Sequence, residues 1–109
     1  MRLTLCGSLK FEDVFKEWNK QLTLAGHVVY SVACYPSDND GKDWYTTEQK
    51  AMLDVMHLAK IDNSDGIFVL DVDGYIGEST KREIIYATYR EKRICYLSKL
   101  LTGENLLGM

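Results

Sequence analysis

Apolar residues along this chain come in short bursts separated by longer stretches with helical spacing. The first burst, "RLTLC" from Arg2 to Cys6, reads as a strand, and Gly7-Ser8 behind it reads as a tight turn. Phe11, Val14, Phe15, Trp18 and Leu22 then recur at the 3.6-residue period of one helix face, which predicts an amphipathic helix over residues 11–25. Gly26 is a natural stop for it. "HVVYSVA", residues 27–33, is rich in β-formers and predicts a second strand. A second helix is expected from Thr46 or Thr47 to about Lys60, with Met52, Val55, Met56 and Ala59 as its inner face. "GIFVLDV", residues 66–72, is nearly all apolar, as a central parallel strand buried on both faces should be. A third helix over residues 80–91 and a fourth strand over residues 93–97 follow. In the tail, Leu100, Leu101, Leu106 and Leu107 offer apolar surface to the body of the protein or to another subunit.

The order is βαβαβαβ. Helical crossovers imply parallel strands joined right-handedly, so the expected fold is α/β, a small doubly wound sheet of the flavodoxin/Rossmann-like kind with strand order 2-1-3-4. The length of 109 residues suits one domain, residues 1–109. In such sheets ligands bind outside the carboxyl ends of the strands. Three segments fall there: Gly7-Ser8, the stretch from Cys34 to Tyr45, and the stretch from Asp71 to Ser79. The middle one is polar and long for so small a domain; it reads as a functional lid or as a solvated loop, with Trp44 and Tyr45 marking a packed end.

Composition narrows the function classes. The formal net charge is -3 and no Lys/Arg stripe stands out, which argues against a nucleic-acid groove. No apolar run reaches membrane-spanning length, and "MRLTLCGS" lacks the pattern of a secretory signal, so a cytoplasmic protein is expected. Cys6, Cys34 and Cys95 have no CxxC spacing and read as free thiols in a reducing compartment. His27 and His57 are scattered, so no metal site is expected, and His57 reads as a solvated helix residue.

The densest chemistry lies in "GYIGESTKREIIYA", from Gly74 to Ala87. One reading is structural: Thr80 caps the third helix and Glu83 reaches back to its amide, a capping box. The other is functional: Gly77, Ser79 and Thr80 offer amides and hydroxyls to a phosphate or sugar, and Glu83 faces the crevice as a nucleophile. Asp71 and Asp73 at the end of the central strand are either turn chemistry or further carboxylates of the same site.

Taken in order, "LTLCGSLKF", "KIDNSDGIFVLDVDGYIGESTKREIIYA" and the short basic segment leading into "ICYL" resemble the nucleoside 2-deoxyribosyltransferase-like family, including its 2'-deoxynucleoside 5'-phosphate N-hydrolase branch. The resemblance implies a transferase or hydrolase that cleaves or exchanges the N-glycosidic bond of a deoxynucleoside or deoxynucleotide. Glu83 matches the nucleophilic glutamate, Ser79 and Thr80 the turn before it, and Gly7 and Ser8 the small turn lining the sugar site. Asp71 or Asp73 is the nearest match for a group that protonates or orients the base. Where the family often has a tyrosine in its first strand, this chain has Thr4. The resemblance further implies a homodimer or larger homo-oligomer, a small-molecule partner, and chemistry that requires neither metal nor organic cofactor. A nucleotide-binding or sensing module that uses the same cleft without turnover is the alternative.

Overall fold

The computed structural model describes residues 1–33, 35 and 44–101. Among these, four strands form one parallel sheet in the order β2-β1-β3-β4: β1 (Arg2–Cys6), β2 (Val28–Tyr30), β3 (Gly66–Val69) and β4 (Arg93–Tyr96). They alternate with α1 (Glu12–Leu24), α2 (Thr47–Asp62) and α3 (Glu78–Tyr89), and a short α4 (Leu97–Leu101) follows β4. This is the doubly wound α/β architecture expected from the pattern. None of the described helices is long and apolar enough to cross a membrane.

The period of two along each strand sorts the core into two layers. Leu3 and Leu5 of β1, Phe68 of β3, Leu70 just beyond it and Cys95 of β4 pack with Phe15 and Leu22 of α1. Trp18 of the same helix stacks on Phe68, with ring centroids 5.5 Å apart. On the opposite face Cys6, Ile67 and Val69 meet Ile61 of α2 and Ala87 of α3. The outer face of α1 needs no partner, whereas α2 and α3 lie side by side and leave a crevice where the strand order reverses, between β1 and β3.

β3 and β4 approach so closely that a Cβ on Gly66 would lie 2.6 Å from the carbonyl oxygen of Arg93, so only glycine fits there. β3 ends at Val69, earlier than the apolar run suggests. Beyond it the chain enters a tight turn, Val72–Gly74, in which Asp73 takes a left-handed φ of 52° and Gly74 one of 80°. Aspartate tolerates that conformation better than most residues, which accounts for "DVDG" as turn chemistry. The fourth strand is likewise shorter than expected, because Leu97 already belongs to α4.

The expected inner face of α2 is corrected. Met52, Val55, Met56 and Ala59 are all exposed, and the residues turned inward are His57 and Ile61, with Leu58 beside them. Two apolar stripes run along this helix about 100° apart. Ile61, fully buried at the helix end, selects the stripe that passes through His57. Of the cysteines, Cys6 and Cys95 are buried free thiols, while Cys34 lies outside the described residues. So does most of the loop leading to Trp44 and Tyr45, and so do Leu106 and Leu107.

Candidate active site

Helix α3 begins three residues earlier than the capping box requires. Its N-cap is Gly77, which makes no side-chain cap bond, and Glu78 is the first helical residue. Thr80 is therefore inside the first turn and buried, not at the cap. A true capping box does form in this protein, at α2, where Thr46 and Gln49 exchange both bonds. Glu83 is thereby free of any capping role. It falls on the inward stripe of α3 with Thr80 and Ala87, three residues after one and four before the other. A carboxylate thus occupies a position where helix periodicity calls for an apolar residue.

Its side chain, only 20% exposed, reaches the floor of a cleft of about 410 Å³ at the carboxyl end of the sheet. Gly7 and Ser8 after β1 form one wall, and Gly77, Ser79 and Thr80 of the α3 start form another. Lys50, Asp54, His57 and Lys60 of α2 line the third side, and Trp44 and Tyr45 stand at its entrance. Gly7 is also tightly packed: a Cβ there would lie 3.2 Å from Cβ of Leu70 and 3.3 Å from its carbonyl oxygen. Ser8 caps the turn that follows, accepting from the amide of Lys10.

Three side chains from three elements meet at the floor. Cys6 is the last residue of β1, and strand alternation turns its thiol toward α2 and α3. His57 Nε2 lies 3.6 Å from Cys6 Sγ and 3.7 Å from Oε2 of Glu83. His57 is 7% exposed, and its Nδ1 is buried without a hydrogen-bond partner among the described residues.

Burial sets the protonation of this group. It pushes the Glu83 carboxyl up to about 7; the hydrogen bond from the Cys6 thiol opposes the rise, nearby Asp54 adds to it, and Lys50 and Arg82 work against it. Burial, with Lys60 behind it, pushes His57 down to about 4, against a smaller opposing pull from Asp54. The Cys6 thiol is raised well above its usual value, by burial first and then by Glu83. At neutral pH the floor therefore holds a neutral imidazole, a thiol, and a carboxyl close to half ionised. The His57–Glu83 approach is not an ion pair under these conditions, and 3.7 Å is too long for a hydrogen bond.

The structure brings Glu83, Gly7, Ser8, Gly77, Ser79 and Thr80 to one cleft. Asp71 and Asp73 are not among the residues that line it. Asp71 is buried, and its carboxylate accepts from the amide of Ser98 at 2.9 Å and from the Ser98 hydroxyl at 2.6 Å, tying the start of α4 to the turn after β3. Asp73 is exposed in its left-handed turn. The early end of β3 is the cause, because the chain turns toward α4 before either side chain can reach the crevice. Thr4 is fully buried and shares a hydrogen bond with the hydroxyl of Ser64 at 2.5 Å, so the groups that touch Glu83 are Cys6 and His57 instead. His57 is not the solvated residue expected. Its spacing of four from Ile61 was the available signal.

No protein-family model, no curated protein and no solved structure matches this chain.

Proposed function

We propose that this protein cleaves or exchanges the N-glycosidic bond of a 2'-deoxyribonucleoside or its 5'-monophosphate, with Glu83 as nucleophile. The observation that carries the reading is the carboxylate of Glu83 itself, buried on an inward helix stripe and opening onto the cleft floor. Burial of this kind costs stability and is common where a carboxylate has chemical work. In the first step a Glu83 oxygen bonds to C1' as the C1'–N bond breaks, and the base departs with the electron pair and takes up a proton from solvent. In the second, water or another base attacks C1', loses a proton to solvent, and the C1'–O bond to Glu83 breaks to return the carboxylate. A 2'-hydroxyl would crowd the carboxylate, which favours deoxyribose. The free amides at the start of α3 suit a 5'-phosphate. A cleft of about 410 Å³ is within the range that small-molecule sites occupy.

A homodimer or larger assembly belongs to the same reading. Met52, Val55 and Met56 expose an apolar stripe on α2, and Met56 also lines the cleft, so a second copy seated there completes a wall. Light scattering that finds only monomer at tens of micromolar counts against it.

The test is incubation with the four deoxynucleosides and their 5'-monophosphates, with chromatography for free base. Release by the wild type and none by Glu83→Gln supports the reading. The alternative, a nucleotide-binding module, draws support from Thr4, which stands in β1 where the resembled family often has a tyrosine and bonds Ser64 instead. Ligand-induced thermal stabilisation without any base release would decide for it.

A further inference from the structure

We propose that Cys6, His57 and Glu83 form a binding site for a borderline-soft divalent cation, Zn²⁺ being the best fit. The site stands independently of the glycosidic reading and adds to it a way of switching the nucleophile off.

Geometry is the first argument. Sγ, an imidazole nitrogen and a carboxylate oxygen all lie within 4.8 Å of one another. In tetrahedral zinc sites the usual bond lengths place neighbouring ligand atoms about 3.3–3.6 Å apart. The Cys6–His57 separation of 3.6 Å already matches, and the His57–Glu83 separation of 3.7 Å needs only a small contraction. The three donors come from β1, α2 and α3, so packing of the core holds them in place without an ion.

Charge and lone pairs are the second. Among the described residues Nδ1 of His57 has no hydrogen-bond partner, so none of them compels Nε2 to carry the imidazole proton. With the proton on Nδ1, the lone pairs of Nε2, Sγ and the ionised carboxylate face one another across one small volume. Without a cation the thiolate and carboxylate forms repel each other there. Zn²⁺ with one thiolate, one carboxylate and one neutral imidazole sums to zero charge, the arrangement a desolvated pocket favours. Three protein ligands leave the fourth position open toward the cleft, as in zinc sites that keep a water or a small ligand. On binding, the Cys6 S–H bond breaks, a Zn–S bond forms and the proton leaves to buffer, together with the Glu83 proton when one is present. Mg²⁺ and Ca²⁺ prefer all-oxygen ligands and do not fit this set.

A zinc-bound Glu83 has its lone pair committed, so the ion competes with glycosyl transfer. Metal binding is measured without any substrate, which separates failure of this proposal from failure of the catalytic one. The experiment titrates chelator-stripped, reduced full-length protein with Co²⁺ and with Zn²⁺. Expected are one tight equivalent and, for Co²⁺, a thiolate-to-metal charge-transfer band in the near ultraviolet that Zn²⁺ abolishes. Cys34→Ser should retain the band; Cys6→Ser should lose it. His57→Ala and Glu83→Gln should weaken Zn²⁺ binding by more than the roughly 10–100-fold that even supporting residues around a metal contribute. Absence of the band in the wild type, which needs no variant to fold, overturns the proposal. So does a band that survives Cys6→Ser or disappears in Cys34→Ser.

Discussion

His57 Nε2 and Glu83 Oε2 stand 3.7 Å apart although β3 separates their helices in the chain, and both belong to the buried stripes of those helices. Each side chain is held near its uncharged form by the same dry environment, the acid by a raised pKa and the base by a lowered one. The two ionisations shift stability with pH in opposite senses, and the consequences can be measured.

Base release should rise with pH through about 7, where Glu83 ionises, and level off above it. A nucleophilic carboxylate acts only in its ionised form, and kcat/KM reports the free enzyme. The profile is to be measured with a chelator present so that no ion occupies the floor. A rate that falls as pH rises through 7 would assign Glu83 the role of proton donor instead.

Stability carries the same information with the sign reversed for each partner. Unfolded glutamate releases its proton near 4.5 and folded Glu83 near 7, so between those values the native state binds more protons and stability falls as pH rises. Unfolded histidine holds its proton up to 6.5 and folded His57 only up to about 4, so between those values stability rises with pH. In the wild type the two slopes largely cancel from pH 4.5 to 6.5. Glu83→Gln should expose the His57 slope, a steady gain over pH 4 to 6.5, and at pH 8 should be more stable than wild type by about 2 kcal/mol after allowance for residual solvation. His57→Leu should expose the Glu83 slope, a steady loss over pH 4.5 to 7. Urea titrations at a series of pH values check both; parallel curves for all three proteins would mean that neither group is perturbed by burial.

Asp71 and Glu83 are both carboxylates near the carboxyl end of the sheet, and single substitutions should part them. Asp71→Ala leaves the Ser98 amide and hydroxyl without their acceptor, at a cost of about 1–3 kcal/mol. Base release, assayed below the lowered melting temperature, should stay within about twofold of wild type, since Asp71 does not line the cleft. Loss of activity in a folded Asp71→Ala protein would return Asp71 to the site.

These outcomes bear on what the sequence could reveal. Strand order and layering were legible because period-two and period-3.6 stretches alternate cleanly and because β3 is apolar on both faces. The inner face of α2 was not, since Met52-Val55-Met56-Ala59 and Leu53-His57-Ile61 are both plausible stripes and only the tertiary position of Ile61 chooses between them. The role of His57 went unseen for the same reason. Glu83 was legible as a cleft residue but the start of its helix was not: Thr80 and Glu83 have capping-box spacing, while the chain enters the helix at Gly77. Asp71 looked like a site residue because it follows an apolar run, and the run outlasts the strand by three residues, 70–72.

Two glycines should respond differently to alanine. A Cβ on Gly66 would sit 2.6 Å from the carbonyl oxygen of Arg93 in the adjacent strand, and sheet backbone cannot give way cheaply. A Cβ on Gly7 meets Leu70 at 3.2 Å, a contact that a small shift relieves. Gly66→Ala should therefore cost about 3 kcal/mol and Gly7→Ala about 1 kcal/mol, the upper and lower ends of overpacking costs. Activity should rank the other way among folded molecules, because the Gly7 turn forms a wall of the cleft and Gly66 is remote from it. Equal activity losses would show that the Gly7 turn does not touch substrate.

The last prediction concerns where a 5'-phosphate sits. The cleft has Lys50 and Lys60 on its α2 side and Glu78 beside Ser79 at the start of α3. The amides of that first turn have no intrahelical acceptor, and the helix dipole favours an anion there. Glu78 already places one at the same end, paired with Lys81 at 3.3 Å, while the Ser79 hydroxyl accepts from Arg82 at 3.2 Å. A phosphate docked on this turn gains the amides, the Ser79 hydroxyl and the Arg82 guanidinium, but is repelled by the Glu78 carboxylate. Glu78→Gln should thus lower KM for a deoxynucleoside monophosphate by about 2–5-fold and leave the nucleoside unchanged, the size of one charge at a helix end. Ser79→Ala should raise KM for the monophosphate by a similar factor, again sparing the nucleoside. Both effects should shrink at high salt, since the first turn is exposed. If instead the two substrates shift together in each variant, the phosphate lies elsewhere, and Lys50 and Lys60 across the cleft become its remaining cationic partners.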